Sequence, residues 1–95
     1  MKPSDYLKKG WCQGRAAQDD EGRFVLSGSP SAACWCLLGA CSAAYHSGGT
    51  GIDPVSFAIK ARHLGIPSLV LWNDAPGRTQ AEVVALMEKL EQEAE

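Results

Sequence analysis

The chain has 95 residues, 45% hydrophobic and 21% charged, with a formal net charge of −2. That length supports one hydrophobic core, so residues 1–95 read as a single domain, and the composition excludes a disordered, charge-rich chain. Five glutamates against one lysine over residues 79–95 make the C-terminus the acidic end, and the cluster Lys60, Arg62 and His63 is too small for the basic stripe of a nucleic-acid binder.

The first ten residues carry lysines without a following apolar run, so no secretory signal is read and a cytoplasmic location is expected. Ser4 is placed to cap a short helix over Asp5 to Lys9 that Gly10 ends. Residues 13–31 are polar and glycine-containing and predict an ordered loop, with a turn at Asp19-Asp20-Glu21-Gly22 and room for a brief extended piece over Arg23 to Leu26.

Ser31 then reads as the N-cap of a helix from Ala32 to His46, closed by Gly48 and Gly49. Its residues leave almost no polar face, which predicts a buried helix at the centre of the domain. Gly39, Ala40 and Ala44 are small enough for neighbours to approach closely there. The apolar stretch is about 14 residues, short of the roughly 20 that span a bilayer, so no membrane helix is expected.

Asp53-Pro54 is a helix start, with Asp as cap and Pro in the first turn, and Gly65 is a matching stop. Val55, Ala58 and Ile59, with Phe57, Ala61 and Leu64, make its expected apolar side. Ile66 to Trp72 is a short apolar run between Pro67 and Pro76 whose periodicity settles neither helix nor strand; Ser68 favours a helical turn. Thr79-x-x-Glu82 is a capping box, and Val83, Leu86, Met87 and Leu90 recur at helical spacing through about residue 92. Acids at Glu91, Glu93 and Glu95 oppose the dipole of that helix, so its end is expected to fray. The sum is a mainly α, small single-domain fold of three to four helices around a buried central helix, with an ordered N-terminal loop.

Taken in order, Gly10-Trp11, the Asp19 to Gly22 turn, Trp35-Cys36-x-x-Gly39-Ala40, Trp72-Asn73-Asp74 and Arg78-Thr79-x-x-Glu82-Val83 give the chain its identity. Together they resemble a family of small bacterial and phage proteins known as a domain of unknown function, over nearly the whole length. The resemblance implies the fold and brings no activity, substrate or cofactor.

Four cysteines in a chain without an export signal are expected as thiols, not as a disulfide framework. On a helix over 32–46, Cys34 and Cys36 would point about 200° apart and Cys34 and Cys41 would be separated by roughly 10.5 Å of rise, so neither pair chelates one ion. Cys12 and His46 would complete a metal site only if that helix broke. Cys34 in the first turn has the position of an activated thiol, but His46 and His63 are not placed beside it by any local argument. A Cys34, His63 and Asp74 constellation stays open only in three dimensions. Gly48-Gly49-Thr50-Gly51 follows a helix and lacks the Gly-Lys-Ser/Thr ending of a phosphate loop. No catalytic residue, metal site or cofactor is therefore assigned.

Trp11, Trp35 and Trp72 each combine a large apolar ring with one N–H that seeks a partner. The structural reading makes them an aromatic core; the functional one makes Trp72, Asn73, Asp74 and Arg78 a binding surface, with Asp74 and Arg78 facing solvent beside the ring. The favoured function is a non-enzymatic binding or interaction domain with a protein partner or self-association, of which a phage-associated inhibitor is a special case. The alternative is a small enzyme or ligand carrier with a pocket between the central helix and the Trp72 to Arg78 loop.

Overall fold

A computed structural model describes residues 1–93 of the chain. Five helices and one two-stranded sheet follow in the order α1 (Pro3–Lys9), β1 (Ala17–Gln18), β2 (Cys34–Trp35), α2 (Leu37–His46), α3 (Pro54–His63), α4 (Leu69–Asn73) and α5 (Gln80–Glu93). The mainly α expectation stands, with five helices where three to four were expected, because α1 and α4 are held by tertiary partners despite their shortness. Among the described residues no helix is long and apolar enough to cross a membrane.

The helix expected from Ala32 starts only at Leu37, and its cap is Cys36, not Ser31; the Cys36 sulfur accepts the Gly39 N–H at 3.3 Å. The five residues ahead are extended because their backbone groups find partners on both sides. Trp35 N–H donates to Gly10 O at 3.0 Å and Cys12 N–H to Trp35 O at 3.2 Å, while Ala33 N–H and Cys36 N–H donate to Gln18 O and Ala16 O. β1 and β2 pair antiparallel with Ala17 opposite Trp35 and Gln18 opposite Cys34, and Trp11 adds a parallel bridge on the far side of Trp35. An extended segment flanked on both edges is apolar on both faces, which is why residues 32–36 mimic a buried helix in sequence. The extended piece after the Asp19 turn is limited to a bridge between Phe24 and Gln18.

The core gathers Leu7, Trp35, Leu37, Phe57, Leu69, Val83, Met87 and Leu90, all buried, and α2 packs against α1, α3 and α4. Gly39 faces the backbone of the loop, not another helix: a Cβ there would collide with the Ala16 carbonyl. α3 turns inward through Phe57 and Ala61, which are fully buried, with Ala58 and the capping Leu64 half-buried against the core as expected. Val55 and Ile59, expected on its apolar side, are 67% and 46% exposed.

Capping follows the sequence at three helices. Asp53 Oδ1 accepts Ser56 N–H at 2.8 Å, Ser68 Oγ accepts Leu71 N–H at 3.2 Å, and Thr79 Oγ1 accepts Glu82 N–H at 3.2 Å while the Glu82 carboxylate accepts Thr79 N–H at 3.0 Å. At α1 the expectation fails. The cap is Lys2, and Ser4 is buried inside the first turn, where its N–H and hydroxyl both donate to the Glu91 carboxylate at 2.9 and 2.8 Å. Glu91, read from sequence as opposing its own helix, serves the N-terminus of α1, where a carboxylate is favoured. Gln80 Nε2 completes the tie at the other end by donating to Leu7 O at 2.7 Å. The expected fraying concerns the Glu93 side chain and Glu95, which lie outside the described residues.

In the long loop, the buried Asp19 carboxylate accepts from the backbone N–H groups of Arg23 and Glu21 and from Arg23 Nε, at 2.9, 3.0 and 2.9 Å. The Arg23 N–H, ahead of the guanidinium, holds this carboxyl below its ordinary value of 3.8. A lowered value in the folded state means the contribution to stability is complete above the ordinary value and lost as pH falls through the folded one. Asp19→Asn is expected to lower the urea midpoint at pH 7 and to converge with the parent protein well below pH 4, read from midpoints across a pH series. Thr79→Ala should destabilise the domain by about 1 kcal/mol through loss of the cap; an unchanged midpoint would show that the capping box adds nothing.

Candidate functional site

The sequence-selected residues Trp72, Asn73, Asp74 and Arg78 lie where α4 ends and the chain turns into α5. Asn73 is completely buried and makes four hydrogen bonds with its carboxamide. Oδ1 accepts from Trp11 Nε1 at 2.8 Å and from Leu37 N–H at 3.0 Å; Nδ2 donates to Cys12 O at 3.1 Å and to Asp74 Oδ1 at 2.9 Å. Two lone pairs and two N–H groups are all used, which is the full capacity of an amide side chain. Leu37 is the first residue of α2, so the bond to its N–H satisfies one of the donors that a helix start leaves without an intrahelical partner.

The neighbours extend this node in two directions. Asp74 Oδ1 also accepts Gly14 N–H at 2.9 Å, and Gln13 Nε2 donates to the carbonyls of Asn73 and Ala75 at 2.9 and 3.2 Å. On the opposite side Arg78 lays its guanidinium 3.6 Å from the centre of the Trp72 ring, donates through Nε to Trp72 O at 2.9 Å, and reaches Glu82 at 3.4 Å. The four residues therefore do not form one patch. Arg78 joins Trp72 with its side chain only 19% exposed, while Asp74 turns toward Gly14. Trp35 is served separately, its Nε1 donating to Ser27 O at 2.9 Å.

On the other side of Asp74 the surface opens into a cleft of about 420 Å³ between the first turns of α2, α4 and the loop wall, lined among others by Arg15, Cys36, Gly39, Ser42, Val70 and Asp74. The floor is apolar. All described bonds of Asp74 go to Oδ1, and no buried side-chain oxygen lacks a partner among the described residues, so Oδ2 stands open to a donor. A second depression of about 580 Å³ continues along α2, sharing Ala16, Ser27 and Ser42 with the first and adding Phe24, Leu26 and His46. Sequence reasoning missed this continuation, because it is assembled from residues 14–29 and α2, and nothing local in the loop marks which side chains stay exposed.

The two buried thiols, Cys36 and Cys41, are not activated by this setting. Burial raises Cys36 above the ordinary thiol value despite the N–H groups at the helix start, and burial does the same, more strongly, to Cys41. His63 is exposed at the end of α3, and among the described residues no hydrogen bond or ion pair joins it to Cys34 or Asp74. Among the described residues no three His, Cys, Asp or Glu side chains gather closely enough to hold a metal ion.

Removing the carboxamide leaves the Trp11 indole, the Leu37 N–H and the Cys12 carbonyl without partners inside the protein. Asn73→Ala is expected to destabilise the fold by about 3 kcal/mol or more. Arg78→Ala, in contrast to the near-neutral effect of an exposed residue, should cost about 2 kcal/mol from the lost stacking and charge-assisted bond. Urea unfolding of both variants checks the pair, and a change under about 0.5 kcal/mol at Arg78 would show that its stacking is not stabilising.

No curated protein and no solved structure matches the chain. A family model matches it over residues 4–93, a span that includes the Asn73 node, both depressions and all five helices but the first residue of α1. The chain belongs to that family, a family of unknown function designated DUF6197.

Proposed function

We propose that this chain is a non-enzymatic binding domain, and that the groove along α2 receives an extended segment of a protein partner. The observation that carries the reading is the continuity of the groove: two depressions share Ala16, Ser27 and Ser42 and so run from Val70 at one end to Leu26 at the other. Exposed Phe24, Leu26 and Val70, at 56%, 73% and 42%, edge it with apolar surface. Such a shape suits a chain of alternating side chains better than one compact molecule. Asp74 offers its open oxygen to a backbone N–H or a basic side chain of the segment. Asn73 fixes Asp74, and the Trp72 and Arg78 stack holds the turn that carries both. A phage-borne inhibitor acting on a host protein in the cytoplasm is the special case in which the segment belongs to the host.

One observation favours a second reading. The first depression alone, at about 420 Å³ and mainly apolar, falls in the range of small-molecule pockets and lies between α2 and the Trp72 to Arg78 turn. A ligand carrier would use it without the Leu26 end.

Selection from a displayed random peptide library separates the two. The segment reading expects peptides with an apolar residue near a Lys or Arg, weakened at least tenfold by Ser42→Trp, which fills the shared part of the groove, and by Leu26→Asp at its far end. Peptides that bind all three proteins equally would overturn it. If none is selected, while phenethylamine shifts the amide resonances of Gly39 and Ser42 and does so equally in Leu26→Asp, the carrier reading replaces it.

A further inference from the structure

We propose that the first depression of the groove binds a free α-amino acid with an apolar side chain, its ammonium on Asp74 and its carboxylate on Arg15. Two residues of opposite charge line this cleft, Arg15 on the loop and Asp74 at the end of α4. They do not neutralise each other. No ion pair joins them, and among the described residues the Arg15 guanidinium has neither an ion pair nor a hydrogen bond. Asp74 likewise keeps one oxygen open: Oδ1 accepts the Gly14 N–H and the Asn73 carboxamide N–H, while Oδ2 accepts nothing from the described residues.

Opposite charges beside an apolar floor set the kind of ligand. A simple amine on Asp74 brings a second cation beside Arg15, and a simple carboxylic acid on Arg15 brings a second anion beside Asp74. Either one leaves a charge desolvated under the bound molecule without a partner. A zwitterion answers both. The N–H groups of Leu37 and Gly39 at the start of α2 are already taken, by Asn73 Oδ1 and by the Cys36 sulfur, which leaves the guanidinium as the partner of an anion. Its planar fork of donors matches a carboxylate. Asp74 is held in place by the two bonds to Oδ1, so Oδ2 is presented to one N–H of an ammonium.

The remaining walls choose the side chain. Leu38, Pro54 and Val70 line the same cleft, so the group that branches from the α-carbon meets apolar surface and is itself apolar. The volume of about 420 Å³ lies toward the low end of the roughly 300–1,000 Å³ of small-molecule sites, as a ligand of this size requires. A partner segment anchored on Asp74 needs the same oxygen, so the amino acid competes with it. That consequence rests on the segment reading; binding of the amino acid itself does not.

The test is titration of the full, isotope-labelled chain with L-leucine, leucinamide, N-acetyl-L-leucine and the tripeptide Leu-Gly-Gly, read from the amide resonances of Gly14, Gly39 and Ser42. Saturable shifts are expected with L-leucine, and binding at least tenfold weaker with leucinamide and N-acetyl-L-leucine, each of which lacks one charge. Arg15→Gln should make leucine and leucinamide bind alike. Asp74→Asn keeps the Oδ1 acceptor and replaces the open oxygen by an amide nitrogen, so it should remove the advantage of leucine over its N-acetyl form. No saturable shift with L-leucine, or discrimination that is absent from the parent protein or survives either substitution, would overturn the proposal. Tighter binding of Leu-Gly-Gly than of leucine overturns it as well, by assigning the site to the end of a partner's segment. Arg15 is exposed and its side chain holds nothing in the fold, so its variant decides even where Asp74→Asn does not fold. Peptide selection on the whole groove is a separate measurement, and failure here leaves the segment reading standing.

Discussion

The carboxamide of Asn73 ties the end of α4 both to the start of α2 and to the stretch at Trp11 and Cys12, which belongs to no helix. It binds the Trp11 indole, the Cys12 carbonyl, the first N–H of α2 and the side chain of its own neighbour Asp74. The indole, the carbonyl and the helix N–H would otherwise be left unpaired, whereas Asp74 keeps the Gly14 N–H. An amide is the fitting side chain, since two acceptors and two donors must be supplied from one point; aspartate would lack the donors and bring a charge into a fully buried site. The register of Gly10–Cys12 beside β2 and the start of α2 are both referred to this one residue.

From that constraint the groove follows. With the α2 start fixed by Asn73 and the loop fixed through Gly14 on Asp74, residues 14–16 are drawn over the first turns of α2. Gly39 allows the Ala16 carbonyl to approach the helix where any Cβ would block it. The Asp19 turn and the Trp35 indole on Ser27 O shape the rest of the wall. A loop of this length is normally mobile; here its backbone is paired at intervals, so the surface beside α2 is preformed. Preformed surface lowers the ordering cost of binding, which is the physical ground for reading the groove as a site.

What was legible in the sequence is what is local. Asp53, Ser68 and Thr79 cap their helices because the groups they satisfy lie three residues on, within any short window. The turn at Asp19 was legible for the same reason. What was not legible depends on long-range partners. Cys34 and Trp35 are strand because Gly10, Cys12 and Ala17–Gln18 flank them, and Ser4 fails as a cap because Glu91 claims both of its donors. Val55 and Ile59 look like core by spacing, yet α3 buries only the stripe through Phe57 and Ala61. The Trp72 to Arg78 segment was singled out from residue types alone, and spacing gave no sign that the Asn73 carboxamide bonds inward to Trp11 and Leu37 while Asp74 borders the cleft.

The break in the expected helix also changes where the cysteines sit. On a helix over residues 32–46, Cys34 would have stood near its start and Cys12 would have had no defined neighbour. With Cys34 in β2 the chain at Gly10 runs alongside it, at a glycine because a Cβ there would collide with the Ala33 carbonyl. The same backbone pairing holds Cys12 O against Asn73 Nδ2 at 3.1 Å, so the pairing with β2 and the polar node share a run of three residues. A change at one is felt at the other: loss of Asn73 leaves the Trp11 indole and the Cys12 carbonyl without their partner and loosens the segment that flanks β2. The pairing of β2 and the polar node therefore depend on the same short run of backbone, Gly10 to Cys12.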